Sequence, residues 1–170
     1  MKATIELIKQ RILDDIDAMT YKRMESTMAE QPESVQNSLS SDSHEDLDKG
    51  ILHRYMQTRD ALLRRKLAFC IVKEQTDEIK VTNKLKTDEP SFIYVINVPE
   101  GFDSNAAEVL ANLMHRYIVD GSIYDWYSYQ HLECAISADQ LKDMECEVSR
   151  QLRKSYVSRP LQPFGPQNRK

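Results

Sequence analysis

His131, Cys134 and Cys146 are the residues that come nearest to a ligand set, since imidazole and thiolate are the usual donors to zinc. They straddle a helix boundary and lack a fourth partner at tight spacing. The remaining histidines, His44, His53 and His115, form neither an HExxH pattern nor a paired helical spacing. His115, at the inner edge of a helical pattern, reads as a hydrogen-bonded, partly buried side chain rather than a base. Cys70 lies on an apolar stripe, where a thiol acts as a small hydrophobe. Gly50, Gly101, Gly121 and Gly165 are too far apart to build a phosphate loop, and every serine is a cap, turn or linker residue with no elbow motif around it. Asp125 beside Trp126 is the last candidate, because a carboxylate among aromatics can have a raised pKa and act as an acid. Without a second carboxylate it reads better as one half of an ion pair, with Arg153 of the last helix as the candidate partner. The sequence thus reads as a non-enzyme with no metal and no cofactor.

In place of a reaction centre the chain has an aromatic helix. Its only Trp and four of its eight Tyr, at 117, 124, 127 and 129, crowd one helical pattern. Tyr117 and Tyr124 read as packing inward with Gly121. Trp126, Tyr127 and Tyr129 exceed what one core face absorbs, and are expected to meet the last helix or a neighbouring subunit. Gly121 in mid-helix costs about 1 kcal/mol relative to Ala, which points to the close approach of another backbone or to a helix break.

The elements that position these residues follow from periodicity. A stripe of Ile5, Ile8, Ile12, Ile16 and Met19 predicts an amphipathic helix from Ala3 to about 28, with Asp14, Asp15 and Asp17 on its solvated side. Residues 31–44 are serine-rich and read as a linker. Ser43 and Asp46 resemble a capping box opening a second helix that runs to about 72. On that helix Arg54, Arg59, Arg64, Arg65 and Lys66 form a basic side that could meet phosphate or an acidic partner. The period then becomes two: Ile79, Val81 and Leu85 alternate with charged residues, and Phe92, Tyr94, Ile96 and Val98 form the inward row of a return strand. Asp103 or Ser104 caps the third helix, with Ala107, Leu110, Met114, Tyr117, Gly121 and Tyr124 as its inner stripe. Ser137 to Gln140 is a capping box for a fourth helix through Leu141, Met144, Val148, Leu152 and Tyr156, which stops before Pro160.

These elements predict a mainly α fold: a bundle of about four helices, one antiparallel β-hairpin between helices 2 and 3, and an extended C-terminal arm. Residues 1–158 form the single helical domain, with the hairpin at about 76–98, and 159–170 form a Pro-rich basic arm whose apolar anchors are Leu161 and Phe164 behind Arg159. At 170 residues the chain can bury a core unaided; 41% apolar and 29% charged residues with a net charge of -4 describe an ordinary folded chain. The odd set of three cysteines predicts reduced thiols in a cytoplasmic compartment. Neither a signal peptide nor a membrane span is read in it.

The turn Asn97-Val98-Pro99-Glu100-Gly101-Phe102, the run Met114-His115-Arg116-Tyr117-Ile118-Val119-Asp120, the cluster Tyr124-Asp125-Trp126-Tyr127 and the basic Arg-Pro tail together resemble a known group. It comprises small virion proteins encoded beside capsid genes in tailed phages and prophages of Bacteroides-type bacteria, and more loosely the helical head-tail connector, or neck and adaptor, family. The resemblance covers about Leu47 to Phe164. It implies a ring of identical subunits beneath the portal, contacting portal and other neck or tail proteins, assembled in the bacterial cytoplasm and resident in the virion. Trp126, Tyr127, Tyr129, Arg159, Leu161 and Phe164 are then the expected interface residues. The chain lacks a strongly basic channel-lining stretch, which argues against direct contact with DNA. Two other readings stand beside this one: a cytoplasmic helical adaptor or regulator, and a nucleic-acid-associated factor using the basic side of helix 2.

Overall fold

The computed structural model describes residues 1–28, 45–72 and 88–157. Its elements are β1 (Lys2–Ile8), α1 (Lys9–Met28), α2 (Glu45–Lys66), β2 (Ser91–Asn97), α3 (Ser104–Tyr129) and α4 (Ala138–Val157). The fold is mainly helical with a two-stranded antiparallel sheet, as the periodicities predict. The 31–44 linker, the strand expected near 78–86 and the 159–170 arm lie outside the described residues, as does Ser43 of the expected capping box.

The sheet pairs the first element of this order with the fourth. β2 is the expected return strand, and its row Phe92, Tyr94, Ile96 and Val98 is buried. Among the described residues its strand partner is β1, in a register from Lys2↔Asn97 to Ile8↔Ser91. The first helix therefore begins at Lys9, and not at Ala3. Both periods fit residues 2–8, because Ile5 and Ile8 are three apart while Ala3, Ile5 and Leu7 alternate. The strand prevails because β2 offers an apolar row and a backbone ladder, and this buries Ile5 and Leu7 at 4% exposure each while Ile8 turns outward. Met19 is likewise exposed, whereas Ile12 and Ile16 are sealed in the core.

α2 ends at Lys66 rather than near Val72. One further turn follows, with Cys70 N–H donating to the Leu67 carbonyl at 2.9 Å, and the chain then joins the other edge of β2. Asn97 N–H donates to the Cys70 carbonyl at 2.7 Å and Val72 N–H to the Val95 carbonyl at 2.8 Å. These strand bonds take the carbonyls and amides that a continuing helix would have used. Cys70 is buried, and its thiol is pushed up to about 11 by that burial.

α3 is the centre of the fold, since the run from Tyr117 to Ile123 is buried on every side. α1, α2, α4 and β1 all pack on it. Asp103 caps its start, accepting from Ala106 N–H at 2.8 Å. Its end is a Schellman stop: Leu132 N–H reaches the Tyr127 carbonyl at 3.0 Å and His131 N–H the Ser128 carbonyl at 3.2 Å. The left-handed residue is His131, with φ 55, at a position glycine usually fills. The capping box of α4 forms as expected, with Ser137 N–H donating to Gln140 Oε1 at 2.9 Å and Gln140 N–H to Ser137 Oγ at 3.1 Å. Leu141, Val148 and Leu152 face the core. Replacing His131 with Gly is expected to raise stability by about 0.5–1 kcal/mol in urea denaturation, because glycine adopts the left-handed conformation without a Cβ penalty.

Candidate functional site

Two polar side chains that reach into this fold to meet partners on other elements come from neighbouring positions of α2. Successive residues of a helix point about 100° apart. Arg59 and Asp60 accordingly face different elements, Arg59 toward the C-terminal half of α3 and Asp60 toward β2.

Arg59 grips Asp125 with two bonds, Nε to Oδ2 at 2.8 Å and Nη2 to Oδ1 at 2.5 Å. The side chains are 12% and 22% exposed, so the pair is largely withdrawn from water. Burial works against the Arg59 charge, but hydrogen bonds to Asp125 and Tyr117 outweigh it and hold the guanidinium above its usual range. The expected ion pair of Asp125 thus exists, but with Arg59 and not Arg153. Arg153 lies over the Phe69 ring instead, 5.5 Å from its centroid. Gly121 is explained by the same contact. A Cβ there would sit 2.6 Å from Arg59 Cδ and 2.7 Å from Nε, and α3 runs through the position unbroken. What approaches the glycine is a side chain, not the backbone that the sequence suggested.

Asp60 lies on the apolar stripe of α2 formed by Leu52, Met56, Leu63 and Leu67, and is 8% exposed. Tyr94 donates its hydroxyl to Asp60 Oδ1 at 2.5 Å, and Arg64 donates Nε to Oδ2 at 2.9 Å. The Arg64 guanidinium also stacks 4.5 Å over the Tyr94 ring and donates to the Ile93 carbonyl at 3.0 Å. Burial first, and then the Asp60 charge, push the Tyr94 phenol far up, so it stays a donor. Sequence reasoning missed this site. Its signal was a carboxylate at four residues from Met56 and seven from Leu67, on a face that otherwise holds only apolar residues.

Arg54, Arg59, Arg64, Arg65 and Lys66 therefore do not form the single basic face expected of them. Arg59 and Arg64 are turned to internal carboxylates, and Lys66 stands 3.8 Å from Glu145 of α4. Arg54 and Arg65 are exposed.

The aromatic cluster divides differently from expectation. Tyr117 and Tyr127 are buried, Tyr124 and Trp126 are half-buried, and Tyr129 is 61% exposed. Tyr127 is turned inward in the single chain and packs edge-on against Trp126 with centroids 5.2 Å apart. Arg159, Leu161 and Phe164 lie outside the described residues.

One cleft of about 490 Å³ opens between β1, α1 and α3, lined among others by Glu6, Arg11, Asp14, Asp15, Asn112 and His115. His115 Nε2 is 2.7 Å from Asp15 Oδ2, the hydrogen-bonded role expected of it, and joins α1 to α3. The lining holds no Ser, Thr, Cys or Lys that this imidazole could activate. His131, Cys134 and Cys146 do not converge, and no cluster of three potential metal ligands occurs among the described residues. No described helix is long and apolar enough to cross a membrane.

The two polar sites predict distinct mutational behaviour. Gly121→Ala is expected to destabilise the wild-type chain by about 1–3 kcal/mol, because the new methyl displaces an anchored Arg59. In an Arg59→Ala, Asp125→Ala background the same change should instead stabilise by about 1 kcal/mol through helix propensity. Urea denaturation of the cycle reads this reversal of sign. Tyr94→Phe is expected to cost about 2 kcal/mol, the usual worth of a hydrogen bond to a charged group, read in the same assay.

Compared with known proteins, the chain matches no family model, no curated protein and no solved structure.

Proposed function

We propose that the chain is a structural subunit of the head-tail connector kind, one that assembles with its own copies into a ring between portal and tail components and catalyses no reaction. Such a subunit acts by shape and contact. The observation that carries this reading is the apolar end of α3, where Tyr129 is 61% and Leu132 54% exposed on either side of the Schellman stop. A single exposed apolar residue is ordinary. Two such residues on a backbone fixed by hydrogen bonds make a rigid projection that loses little conformational entropy on docking.

The polar groups support the same reading. The charges that sequence reasoning offered for chemistry or phosphate contact, at Asp125, Arg59 and Arg64, are engaged inside the fold. The nucleic-acid reading is correspondingly weakened, since of the five residues it named only Arg54 and Arg65 are exposed with no ion pair among the described residues.

Particles purified from cells carrying the gene are expected to contain this chain by peptide mass spectrometry. Electron microscopy of the purified chain should show closed rings, dispersed in a Tyr129→Asp, Leu132→Asp double variant whose helical circular dichroism is unchanged. Particles that lack the chain would overturn the assignment.

A further inference from the structure

Among the described residues β1 is paired along one edge only. Met1 and Val98 exchange two hydrogen bonds, Val98 N–H to the Met1 carbonyl at 2.9 Å and the Met1 amine to the Val98 carbonyl at 3.1 Å. Lys9 N–H donates to the Pro90 carbonyl at 3.0 Å in the same phase. In an antiparallel ladder the bonded pairs alternate, so the odd residues of β1 turn their amides and carbonyls to β2. Lys2, Thr4 and Glu6 turn theirs the other way. Among the described residues these outward groups have no backbone partner, and all three side chains are exposed. An open strand edge is a template for pairing with another strand.

We propose that this edge pairs with β1 of a second copy, antiparallel about a two-fold axis at Thr4. Two-fold pairing places Thr4 opposite the partner's Thr4, Lys2 opposite the partner's Glu6, and Glu6 opposite the partner's Lys2. All three are hydrogen-bonded positions, so the phase already set by β2 is the phase the contact needs. Edge charges usually discourage pairing, and a row of one sign would do so here. These two charges are opposite in sign and equidistant from Thr4, so the row complements itself when reversed. Moving the axis to Ala3 or Ile5 keeps the backbone phase but opposes Lys2 to Thr4 or to Ile8, and the complementarity is lost. Centring at Thr4 also sets Ala3 beside the partner's Ile5, which continues the apolar row of the inner face. The partner's Lys2 arrives beside Glu6, at the cleft that Asp14 and Asp15 also line.

This contact is separate from the ring. A two-fold contact is isologous and a ring contact is heterologous, so either can exist without the other.

The discriminating variant is Thr4→Pro. Its lost N–H faces the open edge, so the β1–β2 ladder keeps every bond while the pairing edge loses a donor and gains a bulky ring. Sedimentation of the full wild-type chain over a dilution series is expected to show two-fold association, absent in Thr4→Pro at an unchanged melting temperature. Lys2→Glu and Glu6→Lys should each lose the association alone and recover it when mixed, a readout that holds even if Thr4→Pro disturbs folding. Wild-type chain lacking two-fold association throughout, or single variants that associate as well as the wild type, would overturn the proposal. Rings that persist in Thr4→Pro leave the connector assignment standing. A two-fold pair that persists in the Tyr129→Asp, Leu132→Asp variant does the converse.

Discussion

The placing of α2 against α3, the helix on which the others pack, turns on one largely buried guanidinium. Arg59 reaches across from α2 to α3, passes over Gly121 so closely that a Cβ there would sit 2.6 Å from its Cδ, and closes a two-bond fork on Asp125. A pair so withdrawn from water is a poor source of net stability, since desolvating two charges cancels most of their attraction. Its effect lies in the alternatives it rules out. Rotating or sliding α2 by one residue would leave a guanidinium and a carboxylate buried apart, at about 3–5 kcal/mol. The apolar contacts of Met56, Leu63 and Leu67 carry no such discrimination, because leucine and methionine repack at little cost.

Asp60 makes the constraint two-dimensional. One residue on from Arg59, it points to the sheet, where Tyr94 and Arg64 satisfy its two oxygens. α2 is thus pinned by polar contacts in two directions about 100° apart, which fixes its rotation as well as its height. Tyr117 belongs to the first of these contacts, with the Arg59 guanidinium 5.9 Å from its ring and its own phenol raised by burial against the pull of that charge. Side chains that in isolation look equipped for acid–base work are here consumed in orienting helices. A carboxylate with both oxygens occupied and a guanidinium in a closed fork offer a substrate no open position.

Which parts of this could be read from the sequence follows from how far apart the partners are. The caps at Asp103 and Ser137–Gln140 involve residues three apart, and their geometry is as predicted. The buried rows of β2 and α4 follow from periods of two and 3.6, which a stretch of chain carries in itself. Lys2–Ile8 satisfies both periods, and the choice was made by a strand some ninety residues away, through contacts such as Met1 to Val98 at a separation of 97. Asp125 has a similar history: its need for a cation is local information, whereas the identity of that cation as Arg59 is a fact about helix packing. Gly121 announced a close approach, and the approaching atoms belong to a side chain 62 positions earlier. Asp60 stood in plain sight on an apolar stripe, a conflict between pattern and residue type that marks a buried polar partner.

The aromatic helix gains a clearer meaning from these constraints. α3 is buried all round from Tyr117 to Ile123, so its aromatic surplus cannot be spread evenly along it and instead separates by position. Tyr117 and Tyr127 complete the core, and Tyr129 lies past the last turn that neighbouring helices cover. The Schellman stop then fixes the direction in which Tyr129 and Leu132 leave the bundle, using His131 in a conformation that glycine would adopt more easily. A chain free to choose any loop would avoid that strain. Its presence where Tyr129 and Leu132 flank a hydrogen-bonded turn sets this end of α3 apart from a frayed helix terminus, and is the physical basis for proposing it as a contact surface.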